Sequence, residues 1–316
     1  MMDRPFTQHP LRAQVVGEMQ LRRVPALSVP ARIVQLVRIL DASQRDAEAR
    51  AIATMLPMQG DARQDRHREG KAGNDIRIEW ERHSEASTVT LVMTGRAAAD
   101  EDDDGLAQTA RDWAEALPGA VIRAVRLTIV ADEMAGAIAV AKAAFRASQM
   151  VTCHVGGGAR IWSDFRIHDD GYGPLVVAAN GLLPGDLARC VQRLQELGNY
   201  RNLALLGLPP ARAAWGELDA LDIALEAAGQ TLVAGDTRDD VLLATLTRLS
   251  AQLLSIGGSS GYRMSATAAY ARIVASRLVE LDVVPISGHP SLADFTERRL
   301  WPAVRTCAAL TDRLAL

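Results

Sequence analysis

The mainly apolar run from Ile33 to Leu40 reads as a strand. Ser43 followed by Asp46 fits an N-cap with its capping box and predicts a helix over 44–57. A polar loop from Gly60 to Asp75 leads to two β-like runs, Ile76 to His83 and Ser87 to Met93, spaced as a hairpin. The acidic run Asp100 to Asp104 reads as a solvated loop before a helix from Leu106 to Leu117, which Pro118 and Gly119 terminate. Val121 to Val130 returns as a strand. Strand, helix, strand, strand, helix, strand is the order of a ferredoxin-like split βαββαβ unit. An Ala-rich helix over 133–146 follows, then strands at Met150 to Val155, Ala159 to Ile167 and Leu175 to Ala179 around the turn Gly156-Gly157-Gly158.

After Gly181 the apolar period changes to three and four, which predicts helices over 185–206, 210–228, 237–256, 264–282 and 291–315. Breakers fall between them: Pro209-Pro210, Gly235, the cluster Gly257 to Gly261, and Pro285 to Pro290. Ser291 with Asp294 supplies a second capping box. The reading is therefore α+β, with a Pro- and Arg-rich arm over 1–31, a ferredoxin-like N-terminal domain with extra strands over 32–181, and an all-helical C-terminal domain over 182–316.

Composition narrows the function classes. The 316 residues carry 35 basic and 38 acidic side chains, a net charge of -3, and only 4% aromatic residues, which argues against a nucleic-acid surface. No apolar run approaches the roughly 18–20 residues of a bilayer span, and the first thirty residues lack a signal peptide's apolar stretch, so the expectation is a cytoplasmic protein without a membrane span. Cys153, Cys190 and Cys307 are odd in number and widely spaced, which points to core residues and not to disulfides or structural zinc. Phosphate-binding loops, nucleophile elbows and paired-histidine zinc motifs are missing, and Gly156-Gly157-Gly158 lacks the following helix of a dinucleotide fingerprint.

Two polar constellations remain. On the first strand of the hairpin, alternation puts Ile76, Ile78, Trp80 and Arg82 on one face and Arg77, Glu79, Glu81 and His83 on the other. If Glu85 continues the row, Glu81, His83 and Glu85 have the chemistry for general acid–base work or for a metal. The alternative is an ordinary solvated sheet face. In the second constellation, Arg160, Trp162, Asp164, Arg166 and His168 share one face of the strand read over Ala159 to Ile167, just before the turn Asp169 to Gly173. A metal on His83, Glu85 or His168 has no standard spacing behind it, so metal and cofactor stay unassigned. In the helices, Arg193, Glu196, Tyr200 and Arg201 sit at helical spacing, and Tyr262, Arg263 and Tyr270 flank another helix start; arginine beside tyrosine suits a carboxylate or phosphate, and ion pairs between helices explain the same residues.

Stretches spread over the whole chain resemble a bacterial family, domain of unknown function 3422, described as predicted membrane-anchored proteins. They are His9 to Arg12 with Glu18, Trp80 to Glu85 with Ser87-Thr88, Trp162 to His168 with Gly171, Gln192 to Leu194 with Glu196 and Tyr200-Arg201, Tyr262 to Ser265 with Tyr270, and Glu297 to Leu300 with Pro302 and Arg305 to Cys307. The resemblance implies no established activity. It also implies a histidine near Gln20 and membrane spans after residue 310; this sequence has neither, and the expectation is a soluble form without its anchor.

Two readings follow. In the first, Glu81, His83, Glu85, Asp164 and His168 form a catalytic group across the sheet, and Arg82, Arg166, Arg193, Tyr200, Arg201 and Arg263 hold a small anionic molecule. In the second, the chain is a non-catalytic scaffold or interaction module that forms a homodimer through its helices.

Overall fold

The computed structural model describes residues 7, 9–12, 15–16, 24–56, 66–99, 105–143, 145–235 and 237–315. The acidic run Asp100 to Asp104 and most of the arm, Gln20 included, lie outside these residues. The first half builds β1 (Ala31–Ile39), α1 (Ala42–Met55), β2 (His67–Ala72), β3 (Ile76–Arg82), β4 (Ala86–Thr94), a short α2 (Gly95–Ala99), α3 (Gly105–Glu115), β5 (Ala120–Val130), α4 (Glu133–Lys142), β6 (Val151–Val155), β7 (Ala159–Ser163) and β8 (Gly173–Ala178). The second half is α5 (Pro184–Leu205), α6 (Leu208–Ala234), α7 (Asp239–Glu280), β9 (Val284–Pro285), α8 (Leu292–Arg299) and α9 (Trp301–Leu314). The fold is α+β, as the sequence predicts.

All nine strands lie in one mixed sheet in the order β2-β3-β4-β1-β5-β8-β7-β6-β9, antiparallel except where β5 meets β8. The βαββαβ run is not a free-standing module: β3-β4-β1-β5 form the interior of this larger sheet. One face of that part carries Val34, Leu36, Ile76, Ile78, Trp80 and Leu91, packed against α1 and the Ala107/Ala110/Ala114 stripe of α3. The other face, with Ile33, Val37, Leu127, Ile161 and Val177, packs against α5 and through it against Val274 of α7 and Leu300. The stretch before β1 joins this core through Leu27, whose N–H donates to the Pro184 carbonyl at 3.0 Å.

Several elements differ from the sequence reading for local reasons. The cap of α1 is Asp41: its carboxylate accepts the Gln44 N–H, Gln44 returns the bond, and Ser43 is drawn to Asp41 at 2.6 Å, away from any capping role of its own. β2 lies in the stretch read as a loop, because His-Arg-Glu-Gly-Lys-Ala carries no apolar alternation. β7 ends at Ser163, not Ile167. Phe165 turns left-handed at φ 50°, and the Ser163 hydroxyl and Asp164 carboxylate accept the N–H groups of Phe165 and Arg166. The two helices read over 237–256 and 264–282 are one, α7, running straight through the glycine cluster. Ile256 and Met264 on either side pack with Ala211, Leu218 and Leu310, which offsets the low helix propensity of glycine. Pro302 divides the last predicted helix; it sits in the first turn of α9, where the missing N–H costs nothing.

Fused, α7 contains an 18-residue window of mean hydropathy 1.3, of which 11% is buried, so among the described residues one helix is, by length and composition, long and apolar enough to cross a membrane, against the expectation from the apolar runs. That exposed apolar surface lies on the far halves of α6 and α7, including Ile223, Leu232, Val233, Leu243 and Leu254.

Candidate functional site

Strand register makes a polar floor. On the face turned toward α5, cross-strand neighbours form rows perpendicular to the strands. Glu69, Glu79, Thr90 and Gln35 make one row across β2, β3, β4 and β1, and His67, Glu81, Thr88 and Val37 make the next. Above the floor, Gln192, Gln195, Glu196, Asn199 and Tyr200 fall at i, i+3, i+4, i+7 and i+8 on α5, the stripe that an ordinary sheet-covering helix makes apolar. Where these polar side chains face each other sheet and helix do not close, and a cleft of about 580 Å³ remains between them, its lining completed by apolar side chains including Ile33, Val37, Val92, Val191 and Leu203. Val24, Pro25 and Leu27 also line it.

The floor is held by hydrogen bonds. Gln35 Nε2 donates to Thr90 Oγ1 at 3.0 Å, and Arg123 Nη1 donates to Gln35 Oε1 and to Asn199 Oδ1, both at 2.8 Å, tying sheet to helix. His83 lies 3.3 Å from Thr88 Oγ1 and edge-on to Tyr200, which stacks on Tyr270 at 5.7 Å. Burial, with the charges of Glu196 and Glu81 adding to it, pushes the Tyr200 phenol above its usual range. Arg77 pairs with Glu79 at 2.8 Å, and Arg277 pairs with Glu196, which also accepts from Gln192 at 2.8 Å. Gln195 lines the cleft 8% exposed, and its Nε2 donors have no partner among the described residues.

Of the residues singled out from sequence, the cleft gathers Glu81, His83 and Tyr200. Glu85 turns away into a bidentate pair with Arg263 of α7, beside a 3.4 Å contact between Ser84 Oγ and the Tyr270 hydroxyl; these contacts dock the β3–β4 turn on the helix. Arg82 lies against the Trp80 ring, 5.1 Å from its centroid, on the opposite face of the sheet. Asp164 and His168 pair with each other at 3.0 Å beside Phe145, and Arg166 donates to Gln149. Five strand spacings of about 4.8 Å separate β3 from β7, so this second cluster lies roughly 24 Å from the first and does not meet it across the sheet. Arg193 binds Glu280 at the end of α7, and Arg201 lies against the packed pair of Phe165 and Phe295 rings, whose centroids are 4.4 Å apart. Among the described residues no group of three or more His, Cys, Asp and Glu is arranged to hold a metal ion.

Sequence reasoning missed His67 and Glu69, because β2 shows no strand pattern, and it missed Gln35, Thr88 and Thr90, because their strands read as core. The signal that was present is the polar stripe of α5: Gln195 and Asn199 occupy positions where a covering helix has leucine.

Residues 7–316 match the family model described as Protein of unknown function (DUF3422), and the chain belongs to that family. No curated protein and no solved structure matches it.

Proposed function

We propose that the cleft between the sheet and α5 binds a small polar molecule that carries positive charge. The observation that carries this reading is the apposition of two polar walls where the fold calls for an apolar seam. Buried polar groups are costly unless they are bonded, and Gln195, which lines the cleft at 8% exposure, has an Nε2 without a partner among the described residues. Charge sets the ligand class. Glu69, Glu79, Glu81 and Glu196 line the cleft; Arg77 pairs with Glu79 and Arg277 with Glu196, so four carboxylates face two arginines and the lining is net acidic, whereas Arg166, Arg193 and Arg263, expected to hold an anion, are engaged elsewhere in the protein. Amide and hydroxyl groups from Gln35, Thr90 and Asn199 suit hydroxyl or amide groups on the rest of the ligand. His83, between Thr88 and Tyr200, is the group positioned to move a proton at a bound molecule.

A thermal-shift and calorimetric screen of diamines, amino sugars and guanidines against dicarboxylates and sugar phosphates of equal size tests the reading. Cations are expected to stabilise the protein, and Glu79→Gln with Glu81→Gln to weaken binding at least about tenfold, the loss of roughly 1.4 kcal/mol. Stabilisation by the anions alone would reverse the assignment. A second reading, self-association through the helices, is favoured by the exposed apolar side chains on the far halves of α6 and α7, and sedimentation of the full chain decides it.

A further inference from the structure

Behind the cleft, on the other side of α5, two guanidinium groups share one small cavity. Arg201 is 8% exposed; its guanidinium lies 4.5 Å from the Phe165 ring centroid and 5.0 Å from that of Phe295, and its Nη1 has no hydrogen-bond partner. Arg123 enters from β5 and, among the described residues, bonds the neutral side-chain carbonyls of Gln35 and Asn199. The helix is bare where that guanidinium passes: a Cβ on Gly198 would lie 2.7 Å from Arg123 Nη2. Between the two arginines is a cavity of about 20 Å³ whose other side chains, among them Ile161, Leu175, Leu194 and Leu292, are apolar.

Charge is unbalanced there. Burial, then the positive charge of Arg201, pushes the pKa of Arg123 down to about 9, and burial alone pushes that of Arg201 down to about 10. Two buried like charges are costly unless something of opposite sign joins them. Size decides what that is. A volume near 20 Å³ holds one water-sized particle and excludes phosphate, sulfate or a carboxylic acid. Water itself needs acceptors for its hydrogens as well as donors, and the apolar side chains of the wall supply none, whereas a monatomic anion needs donors only.

We propose that Arg123 and Arg201 form a buried binding site for a halide ion, chloride under ordinary conditions. The ion neutralises the pair and fixes Arg123, and through it the Gln35 and Asn199 carboxamides that line the cleft. This site is separate from the cleft and stands whether or not the cleft binds a cation.

The test uses the full chain dialysed into gluconate. Adding chloride or bromide at matched ionic strength is expected to raise the melting temperature by roughly 2–5 °C, and sulfate is expected not to. The chloride-35 NMR line should broaden with the protein, and bromide should compete the excess width away. Arg201→Met keeps an apolar side chain against the Phe165–Phe295 pair and should lose at least about nine-tenths of the broadening. Gly198→Ala keeps both arginines and displaces one from the cavity, with the same loss expected, so the proposal does not rest on the folding of a single variant. Equal melting temperatures in chloride, sulfate and gluconate would overturn it. So would line broadening that both variants retain.

Discussion

Cys153 and Cys190 show how far residue type alone carries an inference. Wide spacing and odd number mark them as core positions, and both are buried and unpaired, in β6 and in α5 respectively. Burial raises each thiol from about 9 to about 11. Between those values the unfolded chain has lost the thiol proton and the native chain keeps it, so the native state binds more protons and stability falls as pH rises from 9 to 11. Arg123 and Arg201 act with the opposite sign, since their lowered values make the native state bind fewer protons above about 9 to 10. A comparison that cancels the arginines isolates the thiol: Cys190→Ala should lose less stability than the parent chain between pH 9 and 11, by about 2–3 kcal/mol, in urea unfolding at each pH. Parallel curves would show that the thiol titrates as freely in the native state as in the unfolded one. What residue type does not reveal is partnership. Glu85 lies in sequence beside His83, yet its carboxylate turns to Arg263, and Asp164 turns to His168. The first choice depends on which helix arrives over the β3–β4 turn and the second on the chain leaving β7 at Ser163 and turning, neither of which a single strand's alternation encodes.

At the scale of elements, the same substitution has opposite signs at two places on the helices. Gly257 and Gly258 sit inside α7 with helical backbone, and a Cβ on either meets nothing within 4 Å. Replacing both with alanine removes unfolded-state freedom and should stabilise the protein by about 0.5–1 kcal/mol each, seen as a higher melting temperature. At Gly207, between α5 and α6, a Cβ would lie 2.2 Å from Thr267 Oγ1, which is buried and bonded to the Ala204 carbonyl. Gly207→Ala should cost about 1–3 kcal/mol. If α7 were broken at the glycine cluster, as a breaker count suggests, the first pair of substitutions would show no gain. Strands and helices with a strong period were legible to within a few residues: β1, β3, β4 and β5 from their apolar runs, α5 from its three-four spacing, and the Ser291 cap of α8 from its own residues. β2 and the fused α7 were not, since partners elsewhere decide them: β3 supplies the ladder for β2, and α6 and α9 supply the packing that carries α7 through its glycines. The cleft was half legible for the same reason. The polar face of β3 is written in its alternation, but the helix that roofs it is 100 residues away in sequence.

At the scale of the whole molecule, the boundary near residue 181 divides the sequence but not the core. One apolar cluster takes Ile33 and Val37 from β1, Leu127 and Ile129 from β5, Val177 from β8, Leu187 and Leu194 from α5, and Val274 from α7. Each such side chain contributes about 1.5–3 kcal/mol only while its counterpart on the other side of the boundary is in place. The polar link through Arg123 to Gln35 and Asn199 crosses the same boundary. Loss of either half therefore strips the other of its largest apolar face, and the two should unfold together. Scanning calorimetry of the full chain is expected to give one transition whose calorimetric and van't Hoff enthalpies agree, and residues 32–181 expressed alone should show no cooperative melting. Two resolved transitions, or a fragment that melts sharply by itself, would mean that the sheet carries enough of its core on the α1 and α3 face to stand without α5. In that case the cleft would be a joint between two independently stable bodies. The single transition instead makes it a permanent seam, whose polar walls persist because the apolar core on either side of them holds the sheet and α5 together.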